Sequence, residues 1–252
     1  VLPSDSPLLV RPPFLDPHHT ASAVSIVGGG SKVIRPGALS LAHHGVLFLD
    51  EAPEFASNVL EALRQPLESG HVVVSRAAMT AAFPARFQLV LAANPCPCGL
   101  SSSAADQCRC TPLMRRRYAD RLSGPIRDRI DVHRSLTAIS RPELVAGLTG
   151  ARSTSELAEH VSLARERQHR RLADTPWRLN SEVPGVELRK HWPVRDEGRA
   201  LVDHQLRSNK LNARSADRIL RLAWTVADLT GHDVPDADDV DAALSLRRGT
   251  AL

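Results

Sequence analysis

Two adjacent carboxylates, Asp50 and Glu51, follow a run of four apolar residues, Val46-Leu-Phe-Leu49. A run of this kind, bounded by Gly45 and Asp50, predicts a strand buried on both faces. The acidic pair then leaves at its C-terminal edge, which is where open α/β sheets bind ligands. Carboxylates in that position suit nucleotide hydrolysis: the first holds Mg2+ and the second polarises the attacking water. The same pattern also describes a helix N-cap after a core strand, and the residues alone leave both readings open. A second apolar stretch, residues 87–93, predicts a neighbouring strand that ends in Asn94-Pro95. An amide at that edge could orient a γ-phosphate or the lytic water, but before a proline it is also an ordinary turn former.

The four cysteines fall together as Cys96-Pro-Cys98 and Cys108-Arg-Cys110. Two such pairs can supply four thiolates to a tetrahedral zinc. The competing reading is a set of free or redox-labile thiols in a loop. Gly99, Ser101–Ser103 and Asp106 make that loop too polar to bury its cysteines as core. The pairs His18-His19 and His43-His44 invite a metal reading, yet adjacent side chains are expected to diverge, so a structural or intersubunit role is preferred. Arg115-Arg-Arg117 with Tyr118 and Arg121 reads as the charged, solvated face of a helix. Trp177, Trp192 and Trp224 are expected in a core rather than as stacking platforms.

The elements that must position these residues follow from spacing. Val59, Leu60, Leu63 and Leu67 recur at helical intervals and predict a helix over 54–68, closed by Ser69-Gly70. The stretches 71–75 and 79–83 flank a small-residue centre and predict a hairpin. Strand, helix, excursion and strand make an α/β domain with a parallel sheet. Residues 1–40, rich in Pro, Gly, Ser and His, read as an irregular approach. Beyond about residue 150 the pattern predicts only helices, near 154–172, 194–208, 212–230 and 236–247. Asp236, Asp238 and Asp239 favour the start of the last one, where negative charge suits the helix N-terminus.

Composition sets the outer limits. Hydrophobic residues are 42% and charged residues 24%, ordinary for a soluble globular protein, so collagenous, mucin-like and wholly disordered readings fall. Basic residues number 32 against 28 acidic, a net +4 too modest for a nucleic-acid coat, so any such binding is local. All but Lys32, Lys190 and Lys210 of the basic residues are Arg, whose planar forks suit phosphate and carboxylate. No membrane-length apolar run occurs, the N-terminal residues do not read as a secretory leader, and the expected location is cytoplasmic. The chain starts at Val1 rather than Met, and it is expected to be a fragment.

Several segments together resemble a known family: PHHTAS (17–22), VGGG (27–30), RPGALSLAHHGVLFLDEAPEF (35–55), VLEALRQPLESG (59–70), FPARFQLVLAANPCPCG (83–99) and RLSGPIRDRID (121–131). They are similar to the ComM/YifB family of Mg-chelatase-like AAA+ ATPases, over about residues 11–248. The resemblance implies an α/β, AAA+ P-loop-type parallel sheet core, partial here, over 1–150, and an all-α lid over 151–252. It implies Asp50 and Glu51 as Walker B, Asn94 as sensor 1, Arg129 as the arginine finger and Arg214 as sensor 2. Where this chain has Arg127 the family usually shows an apolar residue, so Arg127 competes for the finger role. The resemblance also places Arg76, on a pre-sensor hairpin, against the DNA backbone. Implied cofactors are ATP and Mg2+, and implied partners are DNA and identical subunits in a hexamer, with no membrane.

One departure is large: no G-x-x-x-x-G-K-[ST] occurs, and Gly28-Gly-Gly-Ser-Lys32 has the wrong spacing. That loop cradles the β- and γ-phosphates, so the chain alone is not expected to hydrolyse ATP. The leading expectation is a branch-migration motor on DNA. Its competitors are an ATPase subunit for metal insertion, as in magnesium chelatase, and a non-enzymatic, zinc-stabilised nucleic-acid-binding module.

Overall fold

The computed structural model describes residues 11–30, 33–76, 79–100, 108–136, 139, 141–142, 147 and 152–249. The chain forms two compact units, residues 1–130 and 131–252.

In the first unit the strands are β1 (Phe14–Leu15), β2 (Gly28–Gly29), β3 (Arg35–Pro36), β4 (Val46–Leu49), β5 (His71–Arg76), β6 (Met79–Pro84) and β7 (Gln88–Leu91). β4 lies between β1 and β7 in a parallel sheet, with Phe14 opposite Val46 and Leu49 opposite Leu91. Burial on both faces of β4 is not what the structure shows. Leu47 and Leu49 are fully buried, whereas Val46 and Phe48 are half-buried. The strand alternates because helices cover only the face that carries Leu47, Leu49, Leu89 and Leu91. The other face presents Phe14, which stacks on Phe48, and the exposed Val90.

The helix expected over 54–68 is divided. A 3₁₀ turn at Ala52–Glu54 precedes helices Ser57–Ala62 and Arg64–Ser69, with the break at Leu63. Pro66 is the cause: it has no N–H for the Ala62 carbonyl, and its ring crowds that carbonyl. Val59, Leu60 and Leu63 still reach the core, beside Phe55, Ile26, Leu39 and Ile126. Gly70 closes the second helix at φ 71°, a left-handed turn that suits glycine. The hairpin forms as expected, β5 pairing antiparallel with β6 from His71–Pro84 to Arg76–Met79. Its centre, residues 77–78, lies outside the described residues.

The approach segment is more ordered than its composition implied. Helix Ala23–Val27, capped by the Ser22 hydroxyl, the β2–β3 pair and helix Ala38–Leu41 all form there. Ile26 and Leu39, both fully buried, supply the reason: each of the two short helices carries a core anchor. Residues 1–10 and 31–32 are not among those described.

The second unit is helical among its described residues. Helices Thr154–Leu172, Asp196–Arg207, Ala213–Thr230 and Ala237–Arg248 fall where the periodicity predicts them. A further helix, Gly185–His191, was not predicted, because it is short and opens on a Pro184-Gly185 pair that reads as a turn. The core gathers Leu188, Val202, Ile219, Ala223, Trp224, Val240 and Leu244, with Trp177 and Trp192 packed against it. Asp228, 3% exposed, accepts two hydrogen bonds of 2.6 Å from Arg171 and one from Asn180, and Arg171 stacks over Trp224.

Candidate nucleotide-hydrolysis site

The parallel sheet decides which side chains can meet. β4 and β7 stay joined past their last paired residues. The Ala92 amide donates to the Leu49 carbonyl, and the Ala52 amide to the Ala92 carbonyl at 2.8 Å. Asp50, Glu51 and Asn94 therefore leave the sheet at the same edge. Asp50 and Asn94 are both exposed there. The Glu51 amide donates to Asp50 Oδ1 at 2.8 Å, which leaves the second carboxylate oxygen of Asp50 toward solvent.

Glu51 has a backbone φ of 49°, in the left-handed region that a residue with a Cβ seldom adopts. Strain of this kind concentrates at working sites and persists only where the surroundings hold it. The turn directs the carboxylate to His19, whose Nδ1 lies 3.2 Å from Glu51 Oε2. His19 follows β1, so three adjacent strands each send a polar side chain to one edge. In the sequence His19 stands only in a histidine pair, with no sign of this partner. The usable signal was the polar PHHT segment that follows the apolar Phe14-Leu15.

The paired histidines do not diverge. The rings of His18 and His19 lie 4.1 Å apart and those of His43 and His44 lie 4.0 Å apart, because tight local turns fold the neighbours together. His43 Nδ1 accepts from the Arg86 amide, and the His44 amide donates to the Arg86 carbonyl. Those two bonds fix the chain between hairpin and β7, a structural role. Burial pushes the His43 pKa down, which favours the neutral ring that can accept the bond.

The arginines divide by environment. Arg129 is 10% exposed, donates to Glu68 Oε1 at 2.5 Å and to the Pro125 carbonyl at 2.6 Å, and buries an Nε that has no partner. Arg127, at the end of helix Gly124–Arg127, is exposed. Arg115, Arg116 and Arg117 lie exposed on helix Pro112–Ala119, whose Tyr118 is buried. Arg121 instead turns to the Phe55 carbonyl and Glu54. In the other unit, Arg214 is exposed in the first turn of helix Ala213–Thr230, which is capped by Asn212. Arg76 ends β5, and its side chain lies outside what is described.

The four cysteines do converge: all four sulfurs lie within 4.8 Å of one another. Sharing a proton with the Cys98 sulfur pushes the Cys110 thiol up to about 11, while a bond from the Leu100 amide lowers that of Cys98. A second cluster, His232 with Asp236 and Asp239, had no counterpart in the sequence reading. Its carboxylates form the capping box of helix Ala237–Arg248, which accounts for it as helix-terminus chemistry.

The family model of magnesium chelatase, subunit ChlI, matches residues 2–144, and that of the ChlI C-terminal part matches residues 151–247. The chain belongs to the magnesium chelatase ChlI-type family. Within it, the ComM/YifB proteins are its relatives. An uncharacterized protein of Mycobacterium tuberculosis is 44% identical over 251 residues, covering 98% of this chain and 48% of that protein. The uncharacterized protein YifB of Escherichia coli K12 is 38% identical over 235 residues, 93% of this chain and 45% of its own length. Competence protein ComM of Haemophilus influenzae is 40% identical over 219 residues, 87% of this chain and 42% of its own. The chain thus spans about half the length of the curated relatives it matches. The three-stranded parallel sheet and the helical second unit of this ChlI-type chain correspond to a partial AAA+ fold. None of its described helices is long and apolar enough to cross a membrane.

Proposed function

We propose that this chain is the Walker B, sensor and lid portion of an ATP-driven AAA+ motor that acts on DNA. The observation that carries the reading is the delivery of Asp50, Glu51 and Asn94 to one edge of adjacent parallel strands. Such an edge is where a nucleotide is met in open α/β sheets. Glu51 orients and polarises the attacking water, and Asn94 orients the γ-phosphate or that water. Asp50 suits Mg2+, which takes hard oxygen donors, because its carboxylate is exposed and one oxygen is left open by the Glu51 bond. When bound, the ion neutralises charge on the phosphates.

The phosphate grip is assigned to sequence outside residues 1–252. Two facts support this: relatives of twice the length, and an apolar sheet face bearing Phe14 (60% exposed) and Val90 (41% exposed). Arg129 is the proposed cation for a neighbouring subunit's nucleotide, with Arg127 as its exposed competitor, and Arg214 the lid's contact to bound nucleotide. The assembly is a homo-hexamer. Arg76 on the hairpin follows the DNA backbone, a contact that needs charge and reach rather than base readout. Matches to competence protein ComM and to YifB run over 87% and 93% of this chain, against 27% for a magnesium-chelatase 38 kDa subunit, which supports a ComM-like role over metal insertion.

The test is ATP turnover by the complete gene product with and without single-stranded DNA, across a salt series. Stimulation by DNA that fades steeply with salt is expected. Turnover indifferent to DNA at every salt concentration contradicts the DNA assignment.

A further inference from the structure

The segment 96–110 joins two fixed points of the first unit. It leaves β7 just after Asn94-Pro95 and enters helix Pro112–Ala119, whose N-cap hydroxyl, on Thr111, accepts from the Met114 amide at 3.2 Å. Between those points the described residues bring a short turn and a short extended stretch together, each carrying two cysteines. The first turn is tight: the Gly99 amide donates to the Cys96 carbonyl at 2.9 Å, and Gly99 itself sits at φ 75°.

The sulfur positions are informative. Cys96 Sγ lies 3.3 Å from Cys98 Sγ and 3.8 Å from Cys108 Sγ, and Cys98 Sγ lies 3.6 Å from Cys108 Sγ. None of these separations is a disulfide, and none of the four cysteines is disulfide-bonded. Four thiolates at the Zn–S bond length of about 2.3 Å form a tetrahedron with edges of about 3.8 Å. The three edges among Cys96, Cys98 and Cys108 lie within about 0.5 Å of that value, and the Cys110 sulfur is within 4.8 Å of each of the other three.

Backbone donors complete the picture. The Leu100 amide donates to the Cys98 sulfur, the Cys110 amide to the Cys108 sulfur, and the Cys98 amide to the Cys110 sulfur. Such outer contacts orient the groups that hold a metal. Cys96 and Cys110 are buried, Cys108 is intermediate and Cys98 is exposed, so the cage has one open side.

We infer that Cys96, Cys98, Cys108 and Cys110 form a structural zinc site that clamps the connection between β7 and helix Pro112–Ala119 and thereby fixes Asn94. A closed tetrathiolate set leaves no position for water or substrate, so the ion is structural rather than catalytic. Soft sulfur ligands select zinc or iron over Mg2+. The inference does not depend on the nucleotide reading, because it concerns only the cage and the loop it ties.

The experiment uses the 252-residue chain purified without added metal or chelator. Elemental analysis is expected to give about one zinc per chain. Cobalt(II) added to chelator-stripped chain is expected to give the visible bands of a tetrahedral site and a sulfur-to-metal charge-transfer band. Zinc titrated into stripped chain is expected to protect the amides of Asn94, Cys96 and residues 108–110 from hydrogen exchange. Cys98→Ser, at the exposed corner, is expected to lose the bound zinc and that protection. If this variant fails to fold, thiol-reagent release of zinc from the unsubstituted chain gives the same count. Zinc below about a tenth of one per chain, with all four thiols alkylated under native conditions, overturns the site. So does stoichiometric iron in its place. Bound zinc without added protection at the Asn94 and Cys96 amides overturns the clamp on Asn94.

Discussion

Asp228→Asn in the lid perturbs one buried carboxylate while keeping its shape. In the native chain Asp228 faces Arg171 in a two-pronged pair, and both side chains are largely out of water at 4% and 13% exposure. The amide cannot balance the guanidinium, and Arg171 is pinned where it is by Trp224 and Asn180. Leaving one partner of such a pair uncompensated costs about 3–5 kcal/mol. For a unit of this size each kcal/mol moves the midpoint by about 3–5 °C, so the lid transition should fall by about 10 °C or more. All three tryptophans lie within 131–252, so tryptophan fluorescence during urea or thermal unfolding reports this unit alone. Replacing both partners, Arg171→Met with Asp228→Leu, should recover most of the loss, since an apolar pair of similar volume leaves no orphaned charge. A change below about 1 kcal/mol for Asp228→Asn would show that the pair contributes no more than a surface ion pair. The same helix carries Arg214 at its other end, so a loosened lid should also weaken the proposed nucleotide contact there.

Three further outcomes follow from particular contacts. His232 has a raised pKa, chiefly through its bond to Asp239, so the stabilisation it gives is full below its unfolded value of about 6.5 and is lost as pH rises through the folded value. Urea midpoints of the lid should show this component on going from acid to alkaline pH, and His232→Ala should abolish it; an unchanged profile in the variant removes His232 as its source. In the complete gene product, Arg129→Ala should cut ATP turnover by about a thousandfold while binding persists, and Arg127→Ala by less than about tenfold. The reverse order would transfer the finger role to Arg127, whose exposure already favours reach over the ion-paired Arg129. His19→Ala should lower kcat by roughly tenfold with KM unchanged, because it releases the Glu51 carboxylate without touching the nucleotide, and His19→Asn should restore part of it. An unchanged kcat would mark the His19–Glu51 contact as incidental.

How legible the sequence was depended on the range of the determining contacts. Val46–Leu49 ending in Asp50 was readable because a strand's identity lies in its own apolar run. The long lid helices were equally readable, since an 18- or 19-residue amphipathic pattern outweighs its ends. Burial of the sheet was not, for whether Phe48 has a covering layer is decided by elements far away in sequence. The break at Leu63 was legible in retrospect from Pro66 alone. His19 was missed because its partner stands more than thirty residues on, joined to it only through the pairing of β1 with β4. The cysteine spacing singled out four thiols, but only the fold could show that their sulfurs come together.

The central claim is that Glu51 activates water at this sheet edge. Its most direct measurement is single-turnover ATP hydrolysis by the complete gene product carrying Glu51→Gln, with nucleotide affinity measured in parallel. The amide keeps the size of the side chain and its left-handed backbone but cannot accept a proton. Hydrolysis should fall by roughly two to four orders of magnitude while ATP affinity stays within a few-fold. Hydrolysis at the unsubstituted rate, with ATP bound, would contradict the account.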